Sequence, residues 1–358
     1  MFVPLAGAVM LGWALYAAPV LAAPAIPPSD DVVLERLPES RDPSIATLKK
    51  MRSLVRAAPK DLRVAASYAR RAVDAARATG DPRYLGAAQA ALEPWWSADD
   101  APSPALLLRA TIKQSLHDFD GALADLDRLL ARSPADAQAR LTRATVRGVV
   151  GRADEARADC DRLDGAAPAL VVAACRASVD ASAWRALDAA LAADTASPPA
   201  IRVWALTLAG EIASRRGDAA TADARFRAAL ALDPADAYLA GAYADFLIDA
   251  GRHADAVRLL ESRTRHDALL LRLVIAEKAL PERRERCDAD RAELAARFDA
   301  TRRRGDTVHR REEARYALEV EGDPARALAI ARANFAVQKE PADARILADA
   351  ARAARAAP

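Results

Sequence analysis

In this chain the residue at one position often fixes the residue type 34 places on. Ala110 is matched by Ala144, Ala122 by Ala156 and Pro134 by Pro168. Further along, Gly210 is matched by Ala244, Gly217 by Gly251 and Ala222 by Ala256. A fixed period of this size severely restricts the fold. Each period is one supersecondary unit, too small to bury its own apolar face, so successive units must stack. The composition agrees. The chain is 52% hydrophobic but only 5% aromatic, which implies a core of Ala, Leu and Val.

Each unit reads as two antiparallel helices. Ala110 and Ala122 stand where two helices approach closely, which requires small side chains on both. Leu126 and Leu129 follow at helical spacing and fill the space around that contact. Cys160 and Leu163 do so in the next unit, and Phe226 and Ala229 in a later one. Gly151, Gly217 and Gly251 fall between the helices of a pair, where a left-handed turn favours glycine. Pro134, Pro168 and Pro234 are placed to end the second helix. The phrase Pro-Ala-Asp-Ala recurs at 134–137, 234–237 and 341–344. Asp136, Asp236 and Asp343 then lie beside the start of the next helix and its positive end.

In period and residue types these units resemble the tetratricopeptide repeat family. The resemblance implies an all-α, right-handed α-solenoid of antiparallel helix pairs. The clearest repeats are 103–136, 137–170, 203–236 and 237–270. Degenerate ones are expected at 60–96, at 169–202 around Trp184, and at 308–341. A helical repeat domain then spans 44–356, with about 44–96 and 342–356 capping its ends. The pattern departs from the family early in the first helix, where Leu106, Arg140, Leu206 and Ala240 replace the expected large aromatics.

In this family the first helices line a concave groove. Here that row is Leu107, Thr111, Leu141, Thr145, Trp204, Glu211, Tyr238, Asp245 and Asp249. The basic clamp by which some members capture a peptide C-terminus is absent, because Leu107, Thr111, Leu141 and Thr145 occupy its positions. A mixed apolar and acidic groove suits an extended or helical partner segment of some basic character. Cys160 and Cys175 fall on helices that pack together in the implied fold. They are either a disulfide or two small buried core residues, and Cys287 is left over.

Residues 1–29 carry no charge, and Phe2 to Leu21 is apolar. Residues 1–23 read as a secretory signal peptide cleaved after Ala22 or Ala23, although no Lys or Arg stands near Met1. The competing reading is an uncleaved membrane anchor, since about 20 apolar residues can span a bilayer. A disordered Pro-rich linker follows at 24–43. The expected location is the bacterial periplasm, with inner-membrane anchoring as the alternative. Membrane contact is expected only if residues 2–21 stay uncleaved.

No catalytic or nucleotide-binding motif is present, and no metal-ligand spacing, so no enzyme activity, metal or cofactor is expected. Each of the four histidines, 117, 253, 266 and 309, reads as a surface residue. The most basic stretch, 281–315, has 11 arginines against 9 acidic residues, the pattern of a salt-bridged surface. With a net charge of +2, no nucleic-acid partner is expected. Trp95-Trp96 reads as a packed seam beside the first clear repeat. The expected function is a non-catalytic scaffold or adaptor in the cell envelope that binds a protein or peptide on the concave face. The alternative is a membrane-tethered accessory subunit of an envelope assembly or export apparatus.

Overall fold

A computed structural model describes residues 29, 43–303, 305 and 308–356. The leader assigned to 1–23 and nearly all of the linker at 24–43 lie outside the described residues. Among the described residues every regular element is helical. An N-terminal group comprises α1 (Pro43–Ala57), α2 (Leu62–Thr79), α3 (Arg83–Ala91) and the short α4 (Glu93–Trp96). Five helix pairs follow: α5 (Ser103–Ser115) with α6 (Phe119–Arg132), α7 (Ala137–Val149) with α8 (Ala153–Asp161), α9 (Ala169–Val179) with α10 (Trp184–Ala193), α11 (Pro199–Arg215) with α12 (Ala219–Leu232), and α13 (Ala237–Asp249) with α14 (His253–Leu260). A sixth pair, α15 (Asp267–Lys278) with α16 (Arg284–Arg303), was visible in the sequence only as loose helical periodicity. The chain then forms α17 (Arg310–Arg315), which runs on as a π-helical turn over Tyr316–Glu321, then α18 (Pro324–Phe335) and α19 (Pro341–Ala356).

The chain is an all-α solenoid of antiparallel helix pairs. First helices pack on first helices of neighbouring pairs, so that α5, α7, α9, α11, α13 and α15 form one continuous face. The small residues at the pair crossings are fully enclosed: Ala110, Ala122, Ala156, Ala222, Ala244 and Ala256 have no accessible surface. At Gly210 the requirement is strict, since a Cβ there would lie 2.9 Å from the Phe226 ring. That ring is itself fully buried and packed against Tyr243 and Phe246.

Turn chemistry repeats with the packing. Gly151, Gly217 and Gly251 all have positive φ between their paired helices. His117 takes the equivalent place between α5 and α6 with φ 61°, the one non-glycine residue in that region among those described. Asp136 and Asp236 accept the amides of Ala139 and Leu239, capping α7 and α13. The third Pro-Ala-Asp-Ala phrase behaves differently. Pro341 opens α19 instead of closing a helix. Asp343, one turn in and fully buried, accepts the Glu340 amide and the side chains of Arg311 and Asn334. The same four residues thus serve two registers, according to where the preceding helix stops.

The 34-residue period also carries charge. Arg109 and Lys113 on α5 bind Asp125 on α6, with Nε–Oδ2 3.0 Å and Nζ–Oδ2 2.9 Å. One repeat on, Arg143 and Arg147 on α7 bind Asp159 on α8, at 2.9 and 2.6 Å. Both aspartates are fully buried. A buried carboxylate needs such partners, since the cost of leaving water is recovered only through close cationic hydrogen bonds.

Candidate functional site

The nine groove positions expected from the sequence fall on the face lined by first helices, but they do not form one uniform groove. Leu107, Thr111, Leu141, Thr145 and Trp204 come together. With Gln114 and Gln138, and with Arg70, Asp74 and Arg77 of α2, they line an open cleft of about 380 Å³. The α2 wall was not anticipated. Its charges fall on an alanine-rich helix, where a sequence shows only an ordinary solvated face. Of the five expected residues, Thr145 is exposed and the others are half-buried.

The other four positions are engaged by the chain itself. Tyr238 donates to Glu211 at 2.8 Å. Tyr238 keeps 66% of its surface accessible, so its hydroxyl faces a wet recess and not a dry core. Asp245 accepts Arg272 at 2.7 Å and Arg315 at 2.5 Å. Burial alone would raise the Asp245 pKa, but Arg272 and Arg315 outweigh it and hold the carboxyl at about 2. Asp249 accepts both terminal nitrogens of Arg345, at 2.5 and 2.7 Å. Only about 90 Å³ of free space remains beside Asp245, Arg315 and Arg345.

These contacts correct two expectations. The segment about 342–356 does not simply cap the far end of the stack. Together α17–α19 fold back along the first-helix face, and the loop after α18 reaches the early repeats. There the Lys339 amide donates to the Val149 carbonyl at 2.7 Å, and the Gln338 amide donates to His117 Nδ1 at 3.1 Å. The second correction concerns partner charge. Of the groove acids that suggested a basic partner, Asp245 and Asp249 are already paired with arginines of this chain, and Glu211 is held by the Tyr238 hydroxyl.

Two histidines read as surface residues prove to be half-buried links between distant parts of the chain. Besides the His117–Gln338 contact, His266 Nε2–H donates to the Ala78 carbonyl at 3.2 Å, joining the end of α2 to the turn before α15. Burial lowers the pKa of both rings. Cys160 on α8 and Cys175 on α9 are joined as a disulfide, with Cα atoms 5.5 Å apart. Cys287 is a buried free thiol whose pKa is raised by burial. Trp95 and Trp96 are half-buried and packed against the N-terminal core. Much of the 281–315 stretch is ion-paired internally, including Arg283 with Glu261, Arg297 with Asp267, and Arg302 with Glu313. Among the described residues no group of three or more His, Cys, Asp or Glu is arranged to hold a metal ion. No described helix is long and apolar enough to cross a membrane.

Residues 213–270, from the end of α11 into α15, match the profile of the tetratricopeptide repeat. Those residues carry the tetratricopeptide repeat. Solved structures with a similar fold include a tetratricopeptide repeat protein from Parabacteroides merdae, 17% identical, covering 71% of this chain and 86% of that one with a TM-score of 0.36. The Cut9–Hcn1 hetero-tetramer of the APC/C is 13% identical over 86% of this chain and 52% of that one, with a TM-score of 0.43. The TPR domain of P58(IPK) is 15% identical over 87% of this chain and 99% of that one, with a TM-score of 0.23. No curated protein matches the chain. A fold of this kind suggests a protein–protein interaction scaffold.

Proposed function

We propose that this chain is a non-catalytic scaffold of the bacterial envelope that holds a segment of a partner protein in the cleft between α2, α5, α7 and α11. The observation that carries this reading is the division of the first-helix face. Five of the expected groove residues line an open cleft of about 380 Å³, whereas the remaining four are occupied by the chain's own side chains. The cleft walls combine apolar Leu107, Leu141 and Trp204 with the amides of Gln114 and Gln138. Such a mixture suits an extended peptide, whose backbone needs polar partners and whose side chains need apolar ones.

The envelope location rests on the apolar, uncharged stretch 2–21 and is supported by the Cys160–Cys175 disulfide, a bond that persists in oxidising compartments. The test of binding is a crosslinking pull-down from native envelopes. A partner captured by the wild type should be lost with Thr145→Tyr, which fills the cleft without charge, and kept with Asp249→Asn. Retention with Thr145→Tyr would overturn the cleft reading. N-terminal sequencing of the mature chain tests export. A start at Ala23 or Pro24 is expected, whereas an intact N-terminus in the membrane fraction would favour a tethered accessory subunit.

A further inference from the structure

Arginines line both halves of the first-helix face, but in different states. In the closed half, Arg272, Arg311, Arg315 and Arg345 are all paired with carboxylates. In the open cleft, Arg70 and Arg77 are exposed on α2 and make no ion pair or side-chain hydrogen bond with any described residue. Asp74 is the one carboxylate lining the cleft among the described residues. It lies between the two arginines along the helix and pairs with neither.

We infer that the cleft takes an extended acidic segment of the partner, with two carboxylates three residues apart, one for Arg70 and one for Arg77. This rests on the cleft being the partner site, and adds the chemistry of the partner to it. The spacing follows from helix geometry. Seven residues along α2 separate the two guanidinium stems by about 10 Å. In a polyproline-II-like segment, residues three apart share one face and lie about 9 Å apart. Asp74 stands opposite the two residues between them and requires those to be neutral. Across the cleft, Leu141 and Trp204 offer an apolar wall for a neighbouring aliphatic or aromatic side chain. The closed half illustrates the same chemistry in reverse, with Asp245 and Asp249 each satisfied by arginine.

Because Arg70 and Arg77 have no partner among the described residues, replacing them should leave folding intact. The experiment pans a random dodecapeptide display library against the full chain, with Thr145→Tyr as the counter-selection. Enriched sequences are then made as dye-labelled peptides for fluorescence anisotropy. The inference expects clones that depend on the cleft and carry Asp or Glu three residues apart. Affinity should fall about tenfold with Arg70→Gln plus Arg77→Gln, the worth of two exposed ion pairs at the upper end of their range. It should rise with Asp74→Asn, and salt should weaken binding to the wild type more than to the double variant. Cleft-dependent clones that are neutral or basic, or that are indifferent to the double variant, would overturn the acidic inference and leave the cleft reading standing. No clone sensitive to Thr145→Tyr would overturn the cleft reading, and the inference with it.

Discussion

Asp245 on α13 is hydrogen-bonded to Arg315 on α17 across 70 residues of sequence, while its second carboxylate oxygen receives Arg272. With the Asp249–Arg345 pair four residues on, this contact holds the C-terminal helices against the first-helix face. The acidic end of the expected groove is therefore an internal joint, and the open cleft lies toward the N-terminus.

Breaking that joint should release the C-terminal helices selectively. Arg315→Gln combined with Arg345→Gln removes two charged hydrogen-bonded contacts, the sheltered Arg315–Asp245 pair worth about 2 kcal/mol and the more exposed Arg345–Asp249 pair worth about 1 kcal/mol or less. Hydrogen exchange should quicken over 308–356 while α5–α8 keep their protection. Asp245 adds an acid dependence. Its folded pKa, about 2, lies below the ordinary 3.8, so its contribution is fully present above 3.8 and lost as pH falls toward 2. Acid should therefore loosen 308–356 in the wild type, and do so less with Asp245→Asn.

The His117–Gln338 link should respond to milder acid. The ring accepts the Gln338 amide only when neutral, and burial, then His309, lowers its pKa below the ordinary 6.5, against the opposing pull of Glu312 and Asp343. The folded state thus disfavours the protonated ring. The link is intact above pH 6.5 and weakens as pH falls through the lowered folded value. Exchange at 336–340 should rise over that interval. With His117→Gly the same amides should exchange fast at every pH, although the turn loses the strain of a non-glycine residue at positive φ, about 1 kcal/mol.

Much of the architecture was legible in the sequence because small residues at helix crossings and glycines at turns leave a periodic record. Ala110 and Ala144, or Gly217 and Gly251, have the same neighbours in each repeat, so the same residue recurs. The charged ladder was equally periodic, since Arg109, Lys113 and Asp125 recur as Arg143, Arg147 and Asp159. Charges on amphipathic helices nevertheless read as solvent-facing, and nothing local shows that Asp125 is buried. The two halves of the groove were not legible either. Arg315 meets Asp245, and Gln338 meets His117, only because the solenoid brings distant turns together, and no period links those positions. Arg70 and Arg77 were passed over for the same reason.

The buried ladder should be costly to break at either of its positions. Asp125→Asn leaves the Arg109 guanidinium buried without its counter-charge, and Asp159→Asn takes the shared counter-charge from buried Arg140 and from Arg143 and Arg147, of which Arg143 keeps Asp127 and Arg147 keeps Glu155. Each should destabilise by about 3 kcal/mol or more. Urea unfolding should show comparable losses for the two variants, since the two sites are repeats of one arrangement. A loss below about 0.5 kcal/mol, the scale of an exposed pair, would show that the ladder is solvated.

The disulfide between Cys160 and Cys175 closes a loop with a sequence separation of 15, for which chain entropy gives about 3 kcal/mol. Cys160→Ala with Cys175→Ala should lower the stability of the oxidised protein by that order. Reductant should bring the wild type down to the stability of the variant and leave the variant unchanged. A wild-type melting curve indifferent to reductant would mean that the two thiols are free.

The most direct test of the division of the first-helix face is photo-crosslinking in the native cell, with p-benzoylphenylalanine placed at position 145 in one strain and at 249 in another. Thr145 faces the open cleft and Asp249 is held by Arg345. Adducts with a second protein from position 145, and from 249 only the internal crosslink to the C-terminal helices, are the predicted result. Partner adducts from 249 with none from 145 would contradict the account.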